Sequence, residues 1–161
     1  MKKQNSPTVL CGTDFSAGAR AAADAAAAIA TKFGAPLRLV HASEITGSPL
    51  VQDHLLVEAK RLHDAGADLV SEVVDGVADE VLVRLAQERG ARLIVVSALG
   101  RRAPARWLLG SVAERTAGTA TVPTLVVRDA APFQAWARGE RALKIFVGTD
   151  FSANSDAALL W

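Results

Sequence analysis

The sequence predicts an α/β fold in which helices cover both faces of a parallel sheet, and two observations lead to it. Five short apolar runs, bounded by turn residues, indicate buried strands, and four longer segments with apolar residues at helical spacing separate them. Parallel strands need crossover connections, and strands that are buried on both faces are almost continuously apolar. At 161 residues, the chain suits one domain with a modest surplus.

The first half of the chain supplies two strands and two helices. Thr8–Gly12 has the length and apolar character of a buried strand, and Ser16 offers an N-cap for an alanine-rich helix that ends near Phe33. Residues 37–42 form the second predicted strand. The second helix begins near Pro49 and ends before Gly66, because its leucines recur at spacings of three and four residues.

The second half continues the same alternation. Residues 68–74 alternate as a third strand, and the next helix carries Val77, Val81, Leu82 and Leu85 on one face before it ends at Gly90. Residues 92–96 form the fourth strand and residues 124–127 the fifth, with a helix from Ser111 between them. Strands and helices therefore alternate throughout, as expected for an α/β protein.

Charge and cysteine content exclude several classes of partner. Lysine and arginine number 18 against 17 acidic residues, so the net charge of +1 attracts neither nucleic acid nor an acidic membrane. Cys11 alone cannot form an internal disulfide and fits a reducing compartment. The apolar run after the basic N-terminus is too short for a signal peptide, and no run approaches a membrane span. We therefore expect a cytoplasmic protein that binds neither nucleic acid nor membrane.

A phosphate site is predicted between residues 95 and 111. An apolar strand ends at Ser97, a loop of small residues and three arginines follows, and Gly110-Ser111 then opens a helix. Glycines let the backbone approach a ligand, and a helix start offers free N–H groups and the positive end of the dipole. The spacing matches neither a P-loop nor the Rossmann glycine pattern. Arg101, Arg102 and Arg106 either pair with phosphates or form a solvated loop face.

The loop after the first strand is the second half of this candidate site. Ligands of parallel α/β sheets lie beyond the carboxyl ends of the strands, where the strand order reverses. If the first and fourth strands are neighbours there, Gly12-Thr13-Asp14 meets the phosphate loop. Asp14 could then accept hydrogen bonds from a ribose hydroxyl or a base amine. Its alternative role is that of an ordinary turn residue at a helix entry.

Catalytic patterns are absent from the sequence. His41, His54 and His63 have no metal-ligand spacing, so structural or surface roles are expected, and Cys11 is expected to be an inert core thiol. Ala113 stands where a nucleophile elbow around Ser111 would need its second glycine. Trp107 and the leucines at 108 and 109 are expected in core or lid packing. We therefore expect a binding protein rather than an enzyme.

Three stretches together resemble the universal stress protein family. Gly100 is followed by nine residues and then by Gly110-Ser111 and Val112-Ala-Glu-Arg, as in nucleotide-binding members of that family. Residues 13–16 resemble its loop after the first strand and residues 39–42 its second strand. The resemblance extends from about Thr8 to Arg128. It implies a three-layer sandwich around a five-stranded sheet of order 3-2-1-4-5.

The resemblance also implies a ligand, ATP with or without Mg²⁺, and a set of contacts. Thr13, Asp14 and Ala42 would surround the adenine and ribose, and Val96 and Ser97 would line the ribose. The phosphates would lie on the second loop and the following helix, with Gly12 and Arg101 completing the site. The phosphate-binding residues implied by the resemblance are Gly100, Gly110, Ser111 and Val112. One position departs from the pattern: Ser97 stands where the motif has its first glycine, and its Cβ and hydroxyl could crowd the ligand or donate to it.

Near its end, the chain repeats its beginning. Residues 148–152, Gly-Thr-Asp-Phe-Ser, are identical to residues 12–16 at an offset of 136 residues. We therefore divide the chain into a domain of residues 1–129, a linker of residues 130–143 and the truncated start of a second domain at 144–161. Phe133 and Trp136 are expected to hold the linker on the first domain. Strand 124–127 is expected to pair with a second copy of the chain or with residues 144–148.

These expectations leave three functions open. The first is a universal stress protein domain that binds an adenine nucleotide and couples its occupancy or dimer state to a stress response. The second is an interaction scaffold of the same fold that binds no nucleotide. The third is a slow nucleotide hydrolase, although the sequence shows no recognisable base or metal ligand set.

Overall fold

The computed structural model describes residues 8–44, 48–100 and 109–160 and contains a single parallel sheet of five strands in these ranges. The strands are β1 (Thr8–Gly12), β2 (Leu37–Ser43), β3 (Leu69–Asp75), β4 (Ala91–Ser97) and β5 (Thr124–Val127). The helices are α1 (Ala17–Phe33), α2 (Pro49–Asp64), α3 (Ala78–Glu88), α4 (Ser111–Thr119), α5 (Ala131–Ala137) and α6 (Ala153–Leu160). The sheet order is β3-β2-β1-β4-β5, which confirms the predicted three-layer α/β fold.

The two faces of the sheet bury separate sets of side chains, as the two-residue alternation of a strand requires. In β1, Cys11 points to the layer of α1 and α2, whereas Leu10 points to the layer of α3 and α4. In β4, Val95 and Val96 divide in the same way. The face of α1 toward the sheet is almost entirely alanine, so this helix packs without large side chains between it and the strands.

Helix α5 lies inside the segment that the sequence predicted as a linker. Phe133 and Trp136 are partly buried and pack against the core on the α1 side, as expected, and the Trp136 ring lies 5.7 Å from the ring of Phe33. The helix has only seven residues and includes Pro132, which is tolerated in a first helical turn. A segment this short carries too few apolar residues for a periodic pattern, so the sequence did not indicate a helix.

The predicted strand of residues 144–148 does not form. Residues 142–150 have no regular secondary structure, and Ile145 and Phe146 are 78% and 95% exposed. In the described ranges, β5 pairs with β4 and with no other strand, so intramolecular pairing of β5 with this segment is not observed. A lone extended segment gains little without a partner strand and a buried face.

Candidate functional site

The structure brings the two predicted loops together at the carboxyl edge of the sheet. β1 pairs with β2 on one side and with β4 on the other, so the strand order reverses between β1 and β4. A β-carbon placed on Gly100 would lie 2.9 Å from Oδ2 of Asp14. The predicted neighbourhood of Asp14 and the phosphate loop is therefore present.

Local hydrogen bonds shape the loop after β1. The backbone N–H of Phe15 donates to Oγ1 of Thr13 at 3.1 Å, and the N–H of Ser16 donates to Oδ1 of Asp14 at 3.0 Å. Ser16 then caps α1, because its Oγ accepts from the N–H of Ala19 at 3.1 Å. Asp14 thus uses one carboxylate oxygen to fix the turn and directs the other toward Gly100. The turn role that the sequence left as an alternative is real and coexists with this orientation.

The described start of the loop after β4, residues 98–100, lies between the beginnings of two helices. On one side, the N–H of Gly110 donates to the carbonyl oxygen of Ala98 at 2.7 Å, which ties the start of α4 to the end of the strand. On the other side, a β-carbon on Gly18 of α1 would lie only 2.5 Å from the carbonyl oxygen of Leu99. Glycine at both contacts therefore allows the backbones to approach closely.

In the described residues, the N-cap of α4 provides no capping side chain. That N-cap is Gly110, while Ser111 is exposed and Val112 half-buried. The first N–H groups of a helix have no acceptor inside the helix, and they carry the positive end of its dipole. An anionic group near Gly100 and Gly110 would meet both features.

Apolar residues form the wall beside this edge. Val96 is buried, and Ala42 and Val112 pack against the same cluster on the α3 side of the sheet. Gly12 faces Leu82 of α3, since a β-carbon there would lie 2.8 Å from Cδ1 of that leucine. These predicted residues share one side of the sheet edge and can offer apolar contacts to a planar ring.

Ser97 points toward the other face of the sheet. Its Cβ lies 3.4 Å from the position that a β-carbon on Gly18 would occupy, so the side chain faces the first turn of α1. Val96, its neighbour in the strand, faces the α3 side. The side chain of Ser97, which stands at the first glycine position of the motif, therefore fits beside α1 because residue 18 of that helix is itself a glycine.

Sequence reasoning did not select Gly18, His41 or Phe15 as site residues. His41 was expected to have a structural or surface role, and its Nδ1 makes a structural contact, at 2.8 Å from the carbonyl oxygen of Thr13. Phe15 adopts φ of 62°, a left-handed conformation that is uncommon for a residue other than glycine. A glycine in the first turn of an alanine-rich helix was a usable signal for Gly18, because glycine disfavours helix.

Charged groups near the site form ion pairs between elements. Arg115 of α4 donates two hydrogen bonds to Asp79 of α3, at 2.9 and 2.8 Å, which lowers the pKa of the Asp79 carboxyl and raises that of the guanidinium. The pair fixes α4 on α3 one turn beyond the open N-terminus. Burial raises the pKa of the Cys11 thiol to about 12, as expected for an inert core cysteine.

Part of the predicted phosphate loop is outside the described residues. Arg101, Arg102, Arg106, Trp107 and Leu108 belong to that part. Leu109 is described and packs against the α3-side core, in keeping with the packing role expected for it. Among the helices of the described ranges, none combines the length and apolar character needed to cross a membrane.

This geometry defines a class of protein. It is a doubly wound α/β protein whose strand order reverses between β1 and β4, with a helix whose N-cap is a glycine beginning at that point. Residues 6–128 match the model of the universal stress protein family, and the chain belongs to that family.

Relatives and solved structures agree with this assignment. A universal stress protein of Mycobacterium tuberculosis (strain H37Rv) is 34% identical over 141 residues, which cover 74% of this chain and 94% of the relative. A crystal structure of a universal stress protein in complex with cAMP is 33% identical, with a TM-score of 0.65, and covers 76% of this chain and 96% of that one. A structure of a universal stress protein from Archaeoglobus fulgidus, 23% identical with a TM-score of 0.64, is similar in fold.

Proposed function

We propose that this chain binds an adenine nucleotide, with ATP as the favoured ligand, at the sheet edge between β1 and β4. One observation carries the proposal: Oδ2 of Asp14 faces Gly100 beside the start of α4, whose N-cap Gly110 supplies no capping side chain. A hydrogen-bond acceptor and an anion-binding helix start, held next to each other, suit a ligand with hydroxyl or amine donors at one end and phosphate at the other. The 33% identical relative that was crystallised with cAMP supports an adenine nucleotide.

Each part of the site has a task in this proposal. Asp14 accepts from the ribose or the base, and Thr13 and Gly12 bring the loop backbone to the ligand. Ala42 and Val96 provide apolar contact for the ring, with Ser97 at the end of β4. The phosphates lie against the N–H groups at the start of α4. The residues proposed to hold them are Gly100, Arg101, Gly110, Ser111 and Val112.

The ATP preference and the place of Mg²⁺ follow from the family resemblance. No group of three or more metal-ligating side chains occurs in the described ranges, so Mg²⁺ would arrive on the phosphates of the nucleotide. An open helix start accepts one phosphate as readily as three, and cAMP is the cyclic alternative. Binding assays with ATP, AMP and cAMP, each with and without Mg²⁺, separate these ligands.

The cellular role that we propose is that of a binding protein. Nucleotide occupancy would be coupled to a stress response, with two copies of the chain pairing through strand 124–127 in the cytoplasm. Any hydrolysis of ATP would be slow and incidental, and turnover at about 1 per second or more would instead establish an enzyme. A scaffold that binds no nucleotide is the alternative function.

The deciding experiment compares Asp14→Asn with Asp150→Asn by isothermal titration calorimetry. Both aspartates accept from a backbone N–H two residues later at 3.0 Å, and asparagine keeps that acceptor, so both turns survive. Only Asp14 faces Gly100. Asp14→Asn is expected to weaken ATP binding about tenfold or more, because a hydrogen bond to a charged group contributes about 1.5 to 3 kcal/mol. Asp150→Asn is expected to bind like the parent.

Thermal unfolding gives an independent measure of the same binding. Ligand at 100 times its dissociation constant stabilises the folded state by about 2.7 kcal/mol. Absence of a shift at millimolar ATP, AMP and cAMP would leave the scaffold function in place of nucleotide binding.

A further inference from the structure

We propose that His41 is the positioning residue of this site: it holds the loop after β1 on β2, so that Asp14 faces the loop after β4. The proposal rests on the proposed function for its consequence on affinity. The geometry of the loop itself is independent of any ligand.

The first contact of His41 is a hydrogen bond to the backbone. Nδ1 of the ring lies 2.8 Å from the carbonyl oxygen of Thr13. A carbonyl oxygen only accepts, so Nδ1 must carry the proton. In its neutral form, His41 is therefore the Nδ1–H tautomer, and this bond adds to the one from the N–H of Thr13 to the carbonyl oxygen of Val40 at 2.9 Å.

The second contact is a ring stack one residue further along the loop. The rings of His41 and Phe15 lie 4.5 Å apart between centroids, with 25° between their planes. Phe15 also meets the ring of His54 from α2 edge-on at 5.6 Å and packs against the α1-side core. One side chain of β2 thus contacts the residues on both sides of Asp14.

The repeated sequence near the end of the chain shows that the turn can form without a contact to a histidine. Phe151 has φ of 61°, its N–H donates to Oγ1 of Thr149 at 3.0 Å, and the N–H of Ser152 donates to Asp150 at 3.0 Å. This turn matches the one at residues 13–16, although Phe151 is 87% exposed and stacks on no histidine in the described ranges. The conformation of the turn is therefore local, whereas its attachment to the sheet at Asp14 depends on β2.

Both functions of His41 can be separated by substitution. His41→Phe keeps a ring that can stack on Phe15 and loses the donor to Thr13. His41→Asn keeps a donor near the position of Nδ1 and loses the ring. His63 is an exposed histidine of α2, so His63→Asn serves as the matched control.

Two measurements on the protein without nucleotide test the positioning directly. Nitrogen-15 NMR of the histidine rings at alkaline pH, where the imidazoles are neutral, is expected to show His41 as the Nδ1–H tautomer. Amide hydrogen exchange at residues 13–16 is expected to accelerate in His41→Phe and to stay at the parental rate in His63→Asn. Exchange at residues 149–152 should not change in either variant. A neutral His41 with its proton on Nε2, or unchanged exchange in His41→Phe, would overturn the proposal.

Affinity for ATP tests the consequence at the site. We expect binding weakened about five- to tenfold in His41→Phe, since one net hydrogen bond contributes up to about 1.5 kcal/mol. His41→Asn should fall between His41→Phe and the parent, a rescue that a purely space-filling role would not produce. The reverse order, or His41→Phe binding like the parent, contradicts the proposal. If the parent binds no nucleotide, the proposed function fails, and the tautomer and exchange results still decide the positioning.

Discussion

Gly18 in α1 and Ser97 at the end of β4 lie next to each other, and the missing side chain of the glycine leaves space for the serine. The first turn of α1 passes so close to the loop after β4 that a β-carbon on Gly18 would lie 2.5 Å from the carbonyl oxygen of Leu99. The same position is 3.4 Å from Cβ of Ser97. The space at residue 18 thus accommodates both the loop backbone and the side chain of Ser97, which lies on the α1 side of the sheet edge.

Gly18→Ala is expected to weaken nucleotide binding and to destabilise the fold. The added methyl group meets a backbone oxygen, so the loop carrying Gly100 must shift, and overpacking of this kind costs about 1 to 3 kcal/mol. Gly118→Ala is the matched control, because Gly118 also lies in a helix and nothing lies within 4 Å of a β-carbon placed on it. That control is expected to leave stability unchanged or raise it by up to about 1 kcal/mol. Urea unfolding and ATP titration measure both effects.

The opposite substitution, Ser97→Gly, restores the glycine of the family motif. Because the side chain of Ser97 faces Gly18, its removal is expected to change ATP affinity by less than about threefold, well under the 1.4 kcal/mol of a tenfold change. A gain of tenfold or more would show that the serine crowds the ligand. For the preceding prediction, an ATP affinity of Gly18→Ala equal to that of the parent would show that the loop carrying Gly100 can shift without loss of binding.

The sequence predicted the residues whose chemistry shows locally and missed those whose role depends on packing. Asp14 and Gly100 could be paired because parallel strands place their carboxyl ends at one edge. Gly18 and His41 depend on how close α1 and β2 come to the two loops, a distance of a few ångströms that no spacing along the chain encodes. Ser97 was identified as the departure from the motif, but the face that its side chain occupies is set by the alternation of side chains along β4.

Among the elements, β5 has the open edge that the proposed dimer would use. The N–H of Ile94 in β4 donates to the carbonyl oxygen of Pro123, and the N–H of Ala98, just after β4, donates to that of Val127. Because backbone groups alternate along a strand, the N–H groups of Thr124 and Val126 point away from β4. In the described residues no strand pairs with this edge, so a second copy of β5 could use these donors.

Val126→Pro is expected to convert a dimer into a monomer. Proline removes the outward N–H and leaves the bonds between β4 and β5 in place. Ser71→Pro is the matched control on β3, the opposite edge strand. The carbonyl oxygen of Asp68 accepts from the N–H of Leu37 in β2, so by the same alternation the N–H of Ser71 points away from β2. Light scattering should give a dimer for the parent and for Ser71→Pro. A monomeric parent would remove the proposed β5 interface.

All five strands and the first four helices followed from the sequence because each has an apolar run, an alternating pattern or a helical apolar face long enough to show its period. Helix α5 did not, since seven residues span less than two full turns. The segment at 144–148 misled for the opposite reason. It has the apolar character of β1 and leads into the repeated residues 148–152, but a strand also needs neighbours, and β1 has β2 and β4 on its two sides.

At the scale of the whole molecule, the packing of α5 leads us to propose that the folded unit extends beyond residue 129. Ala130 is buried, and Phe133 and Trp136 pack on the α1-side core. The ammonium of Lys32 lies 5.6 Å from the centre of the Trp136 ring, near enough for a cation–π contact. By contrast, the tail exposes Ile145, Phe146 and other apolar side chains.

Two shortened chains test this limit. A chain that ends at residue 141 is expected to unfold at the same temperature as the parent, because the residues removed bury little apolar surface. A chain that ends at residue 129 loses the packing of two aromatic side chains on α1. Its free energy of unfolding is expected to fall by about 1 to 3 kcal/mol, because the entropy cost of ordering a short helix offsets part of the gain from burial. Trp136→Ala in the full chain should destabilise in the same direction. Equal stability of the two shortened chains would return the limit to residue 129 and leave α5 as a connection that merely rests on α1.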